Sequence, residues 1–406
     1  MSVSATAGIG LRQAGGQRRR ILAVACGVHA LHDGFTDLIY VLLPVWQAEF
    51  ALSYAALGLL RMLFAGAMAG LQMPASALAM RIGGPLLLAI GTALAGGAYV
   101  ALGLAGAGLV TLVVILLIGG AGAATQHPIG SSLVATAYEA EGSRAALGTY
   151  NFAGDLGKMA IPAATAGLMA LMPWRSAVGI IGALGLCTAV AILLLLPRRP
   201  LKSPRIEHKT GGAATAAQAM PHRRGAFALL LAIGVLDSGT RMGFLAFLPF
   251  VLRAKEATTP TIGLALTLIF AGGALGKLVC GWLGARLGVL RSVLLTELAT
   301  AVGIIAIGPL PLLGALAILP VIGVALNGTS SVLYGTVPEL VAPDRREHAF
   351  GLFYTGTIGG GAVAPVLYGL AGDALGAENA ILVVAVVCLL TLPLAWALSP
   401  SLPRER

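Results

Sequence analysis

Ionisable side chains stand at several points inside long apolar stretches of this 406-residue chain, and their spacing groups them. His29, Asp33 and Asp37 recur every fourth residue, which puts all three on one helical face, with His32 beside Asp33. A carboxylate among imidazoles and away from water is suited to taking up and releasing a proton. Asp155 and Lys158 lie three apart, and Asp237 and Arg241 four apart, so each is an acid–base pair on one helical face. Guanidinium and ammonium groups facing a cavity are suited to recognising a carboxylate or a phosph(on)ate. Arg61, Lys277, Glu297 and His127 stand singly, His127 directly before Pro128. A charge at the centre of a bilayer costs about 2.5–3.5 kcal/mol even on the lenient insertion scale, so each of these groups needs a reason to be there.

A structural reading stands beside each functional one. Asp33 can be a hydrogen-bond acceptor, Asp155–Lys158 a self-neutralising pair, and Arg61 a shallow residue that snorkels to the surface. Lys277 and Glu297 suit structural roles, and His127 can mark a helix break. Depth favours function for Asp33. It lies twelve residues beyond Ile21, roughly 18 Å at about 1.5 Å per residue and near the middle of a core about 30 Å thick. The expected proton-coupling set is Asp33, His29, His32 and Asp37. The expected solute contacts are Asp155, Lys158, Asp237, Arg241, His127, Tyr150, Asn151, Tyr354 and Arg61, and Tyr40 and Tyr334 can also line the path.

Other chemistries find little support. Gly119, Gly120 and Gly122 lie inside an apolar run, where glycines serve close helix packing rather than phosphate binding. Cys26, Cys187, Cys280 and Cys388 all lie in apolar runs without C-x-x-C spacing, so inert thiols are expected and no metal or cofactor is. No H-E-x-x-H, G-x-S-x-G or nucleotide loop occurs, which argues against an enzyme.

The elements that must hold these groups are membrane helices. The chain is 58% hydrophobic and 10% charged, with mean hydropathy +0.91, against about 25% charged in soluble domains. Lipid is therefore the expected solvent. Apolar spans fall near 21–45, 54–80, 85–107, 109–135, 145–171, 176–196, 225–251, 260–284, 289–309, 312–336, 347–371 and 379–398. With the N-terminus inside, the outer loops hold only Arg175, Arg253 and Lys255 of all the Lys and Arg between spans. The positive-inside rule then puts both termini in the cytoplasm of a cell whose inner membrane the chain spans. The net charge of +10 is accordingly an orientation signal and calls for no nucleic acid. Residues 1–20 read as a disordered tail ending in Arg18-Arg19-Arg20, and residues 400–406 as a second tail; the run from Ile21 is too long for a cleaved signal.

A Pro-rich then Gly/Ala-rich stretch, 197–224, reads as a cytoplasmic linker between six-helix bundles at 21–196 and 225–399. Gly148 and Pro162 are matched by Gly351 and Pro365 at a constant offset of 203. Leu43-Pro44 is matched by Leu248-Pro249, and Arg81-Ile82-Gly83 by Arg286-Leu287-Gly288. Such matches point to duplication. This pattern resembles the major facilitator superfamily, and the loop from Gly281 to Arg291 is similar to its signature, with Ala285 at the acidic position. The resemblance implies an all-α membrane protein of twelve transmembrane helices in two pseudo-symmetric bundles, working by alternating access.

The first half further resembles the fosmidomycin-resistance branch. The carrying residues are His29, His32 and Asp33, then Pro44, Gln47, Glu49 and Phe50, with Phe64, Gln72, Gln126-His127-Pro128, and Gly154, Gly157 and Pro162. Departures at Ile129, Ser132, Asp155 and Lys158 imply a different ligand. The combined expectation is proton-coupled export of a small organic anion or zwitterion by a monomer, the fifth-helix glycines resembling an antiporter motif. An uncoupled facilitator or importer of a small carboxylate, and a non-transporting receptor or scaffold, are the other readings.

Overall fold

The structure is a computed structural model that describes residues 3–104, 108–138, 142–197, 224–342 and 345–402, and its regular structure there is helical throughout. The linker expected at 197–224 and the end of the C-terminal tail lie almost wholly outside those residues. Helix α1 spans Val3–Phe50, so helical backbone begins ahead of the expected Ile21. There follow α2 (Tyr54–Ile82), α3 (Gly84–Leu104), α4 (Leu109–Ala123), α5 (Gln126–Ala137), α6 (Ser143–Met169) and α7 (Trp174–Leu195). The remainder is α8 (Arg224–Ala254), α9 (Thr259–Ile307), α10 (Leu312–Leu340), α11 (Arg346–Leu375), α12 (Ala377–Leu389) and α13 (Thr391–Leu398).

Among the described residues, ten helical stretches are long and apolar enough to cross a membrane. They are α2, α3, α4 with α5, α7, α8, the two parts of α9, α10, α11, and α12 continued to Ser401. Neither α1 nor α6 is among them. These are the helices that carry His29, His32, Asp33 and Asp37, and Asp155 and Lys158.

Prolines and one glycine set the breaks. Pro128 has no N–H to bond the Ala124 carbonyl, and its ring clashes with that group. The span expected at 109–135 is therefore interrupted at Ala124 and Thr125, and the Ile129 amide resumes the ladder on Thr125 O at 3.3 Å. Pro393 interrupts the last span at Leu390 in the same way. The two expected spans, 260–284 and 289–309, are both present in α9 as Thr259–Gly284 and Arg286–Ile307, with a corner at Gly288, whose φ of 74° and ψ of 173° suit only glycine.

Contacts divide the chain into two compact units, Met1–Leu38 with Leu63–Ile206, and Ile39–Met62 with Glu207–Arg406. In the first, α3 and α7 pack backbone to backbone. A Cβ on Gly96 would come 2.7 Å from Gly182 O, and one on Gly182 2.5 Å from Val100 N. Gly120 similarly meets Phe64 O, and a Cβ on Gly122 would lie 2.5 Å from Gly91 O, so this glycine run serves close packing as expected. In the second unit, α9 and α10 approach through Gly272 at Pro320 O and Gly323 at Ile269 O.

Residues 39–62 dock on α8 and α11 inside that second unit. The Asp373 carboxylate accepts from the Tyr54 amide at 2.6 Å and the Ala55 amide at 3.2 Å, capping the start of α2. Arg253 donates to Pro44 O at 3.2 Å. Gly58 lies directly on the Pro365 carbonyl, where no side chain would fit.

Candidate functional site

Glycines of α6 bring its polar face onto α1. Gly157 sits against the Ala30 carbonyl, and Gly34 of α1 sits against Ile161. With the backbones this close, side chains of both helices share one small space. A Cβ on Gly154 would lie 2.7 Å from both Asp33 Oδ2 and His29 Nε2, so only a glycine leaves room for those two groups.

Asp33 is the hub of this space. Its Oδ2 lies 3.3 Å from Lys158 Nζ and 3.4 Å from His29 Nε2, and its Oδ1 lies 3.7 Å from His127 Nε2. Lys158 is also 3.9 Å from Asp155 Oδ1, so one ammonium stands between two carboxylates. The expected intrahelical pair is thus part of a larger cluster in which Lys158 lies nearer to Asp33. Exposure grades outward: the side chains of His29 and Asp33 are 5% and 9% exposed, those of Lys158 and His127 32% and 42%.

The hydrogen bonds fix one tautomer. His29 Nδ1 faces the Tyr150 carbonyl at 2.8 Å, and a carbonyl can only accept, so Nδ1 carries hydrogen. His29 Nε2 then faces Asp33 either with a second proton or as a bare lone pair. A lone pair against an ionised carboxylate is repulsive. The His29–Asp33 contact is attractive only when one further proton sits on the imidazole or on the carboxyl.

The other expected proton groups divide. His32 turns to α3, where its Nε2 meets Thr92 Oγ1 at 3.0 Å; that hydroxyl donates to Leu88 O at 2.7 Å, so His32 is the donor. Asp37 is buried on α1 one turn further on. Tyr150 is buried, its ring 4.1 Å from that of His29, and its hydroxyl accepts from Gln126 Nε2 at 2.7 Å. Asn151 is exposed.

A second polar site lies in the other unit. Arg241 Nη1 donates to Ser330 Oγ at 3.0 Å, and Ser330 Oγ donates to Asp237 Oδ2 at 3.1 Å. The acid–base pair expected on α8 is therefore joined through a hydroxyl of α10. Around it, Gly234, Ser238, Leu333, Tyr334, Phe353 and Thr357 line a cavity of about 10 Å³, room for roughly one water. Tyr354 is half-exposed, its ring 4.6 Å from that of Tyr334. Arg61, for which snorkelling was one reading, is instead buried, with its guanidinium 5.1 Å from the centre of the Tyr40 ring. Lys277 is exposed, and Glu297 is 2% exposed.

Sequence spacing had no means of pairing Asp33 with Lys158, or Arg241 with Ser330, because those partners are far apart in the chain. Thr92, Ser330 and Thr357 gave no signal of their own, since hydroxyls in apolar helices usually bond their own backbone.

A family model described as the Major Facilitator Superfamily matches residues 25–253 and 230–406. No curated protein matches the chain. Among solved structures, a bacterial homolog of the human lysosomal transporter Spinster, inward-facing and occupied, is 16% identical with a TM-score of 0.76, covering 96% of this chain and 99% of that one. The same homolog in its unoccupied form has a TM-score of 0.74. A mutant of the nucleoside transporter NupG is 12% identical with a TM-score of 0.74, covering 95% and 99%. Likeness at these identities establishes the fold.

Proposed function

The chain belongs to the Major Facilitator Superfamily and is a multi-pass membrane transporter rather than an enzyme, and from that premise we propose that it is a proton-coupled secondary transporter exporting a small zwitterionic or anionic solute. The observation that carries the reading is the Asp33 cluster, in which His29, held as an Nδ1 donor by the Tyr150 carbonyl, needs a further proton to face Asp33. A buried proton site ringed by partly exposed His127 and Lys158 is what coupling requires.

An antiporter needs a site that takes a proton or the solute but not both. Asp33 meets that need for a solute with a cationic group, which would occupy the carboxylate in place of the proton. The solute's anionic end then finds Lys158 on α6, 3.3 Å from Asp33. Proton uptake at Asp33 expels such a solute, and alternating exposure of the site makes the exchange vectorial.

Ten apolar spans among the described residues, with α1 and α6 added, support a reading of twelve helices in two pseudo-symmetric bundles. The repeated Gly/Pro pairs support the pseudo-symmetry, and the scarcity of positive charge in the outer loops supports cytoplasmic termini in an inner membrane. The first-half motifs favour the fosmidomycin-resistance branch, with a ligand set altered by Asp155 and Lys158.

The position of Lys158 between Asp33 and Asp155 favours one second reading. For a purely anionic solute, a proton on Asp33 frees Lys158 to bind the anion, so proton and solute move together and the chain imports. The two senses differ in sign. Solute affinity rises with pH for the exporter and falls with pH for the importer. Asp33→Asn tests both: in proteoliposomes it should abolish pH-driven transport while leaving counterflow exchange in place. Proton coupling unchanged in Asp33→Asn would remove Asp33 as the coupling site, and wild-type transport that ignores the proton gradient would leave an uncoupled facilitator.

A further inference from the structure

Glu297 of α9 is 2% exposed, and its Oε1 has no donor to accept from. Its neighbour is the carboxyl group of Asp237 on α8, itself 4% exposed and within hydrogen-bonding reach. On the other oxygen, Oε2, the neighbours are the Cys388 thiol at 3.1 Å and the Thr391 hydroxyl at 3.3 Å. The single Thr391 hydrogen is better placed on Cys388 O at 2.5 Å. Glu297 is left with one thiol, a weak donor.

A buried ionised carboxylate served by one thiol, beside a second carboxylate, is not a stable arrangement. Asp237 is far better supplied, with Ser330 donating to it and Arg241 behind Ser330. A proton shared by the two carboxyls is therefore better held by Glu297 than by Asp237. We infer that Glu297 and Asp237 form a buried acid pair that binds one proton between them, a proton-binding site of the second unit separate from Asp33.

Among the described residues, the titratable or charged groups around the pair are Arg241 on the same helix as Asp237, Tyr334 on α10, Cys388 on α12, and Tyr368 of α11 beside Cys388. Arg241 is the only cation of that set. With one proton on the pair, the charges of Asp237 and Arg241 cancel. A second proton leaves Arg241 without a counter-charge, which an anion reaching its guanidinium would supply. Proton uptake at this pair thus favours anion binding at Arg241, whatever Asp33 does.

Infrared spectroscopy of the purified protein at neutral pH reads the pair directly through the carbonyl stretch of a protonated carboxylic acid. The wild type should show such a band, Asp33→Asn should keep this component, and Glu297→Gln should lose it. The glutamine keeps the shape, accepts on its oxygen and donates an N–H to Asp237, so folding is preserved. In Asp237→Asn the band should move to higher wavenumber, because an amide is a weaker acceptor than a carboxylate. A wild type and Glu297→Gln with identical carboxylic-acid bands would overturn the pair, and so would a band that Asp237→Asn leaves unmoved.

Discussion

Substituting Gly154 by alanine tests the geometry of the Asp33 cluster with one methyl group. The new Cβ would lie 2.7 Å from Asp33 Oδ2 and His29 Nε2, and 2.9 Å from His29 Cε1, where ordinary contact begins at 3.4 Å. The carboxylate and imidazole must each retreat by about 0.7 Å. Helix α1 cannot back away as a body without cost, because Gly157 and Gly34 already hold it against α6. Overpacking of this kind costs about 1–3 kcal/mol. Thermal unfolding in detergent should show Gly154→Ala melting several degrees below the wild type. Gly148→Ala, on the same helix with nothing within 4 Å, should match or slightly exceed it, since alanine is favoured over glycine in a helix by up to about 1 kcal/mol. Adding Asp33→Ala removes one clashing partner, so the double variant should lose less than the sum of the two singles. Equal stability of Gly154→Ala and Gly148→Ala, or strict additivity with Asp33→Ala, would refute the packing described for this site.

Lys158→Gln removes the ammonium 3.3 Å from Asp33. Its cost should stay below the roughly 3–5 kcal/mol of a fully buried pair, because Lys158 is 32% exposed, and Asp33→Asn in the same chain should recover most of the lost thermal stability. Gly288→Ala puts a side chain at φ 74° and ψ 173°, and should lower stability by about 1–3 kcal/mol, visible as a lower melting temperature. Asp373→Ala removes the cap on α2 at about 0.5–2 kcal/mol; hydrogen exchange should quicken at the Tyr54 and Ala55 amides and not at the far end of α2.

Much of the scaffold was readable because its signals are local. Apolar runs of membrane length gave ten spans among the described residues, and Pro128 marked the break between α4 and α5 through the carbonyl four residues earlier. Gly154 and Gly157 were read only as motif glycines, whereas the structure sets them against α1. The site was readable only in part. The depth of Asp33 in its span identified it, but helical spacing sees only neighbours on one helix. It joined Lys158 to Asp155 and left Asp33 without the cation it meets. Spacing also set His32 beside Asp33, whereas the helix rotation turns its ring to Thr92. The break at Gly288 was legible as the gap between the spans at 260–284 and 289–309, but its left-handed backbone was not, since a glycine among so many glycines carries no signal of its angles. Glu297 was read as structural because its neighbours, Asp237 and Cys388, come from helices far away in the chain.

The central claim is that the membrane-embedded cations Lys158 and Arg241 each serve the binding of a charged solute that is tied to protons. A thermal-shift screen of the purified protein against small anions, zwitterions, cations and neutral compounds at two pH values tests it most directly, since a ligand of the folded state raises stability as RT ln(1 + [L]/Kd). The account predicts stabilisation by one anionic or zwitterionic class, dependent on pH and lost in Arg241→Ala or Lys158→Ala. Stabilisation by neutral or cationic compounds alone, equal at both pH values and kept in those variants, would contradict it.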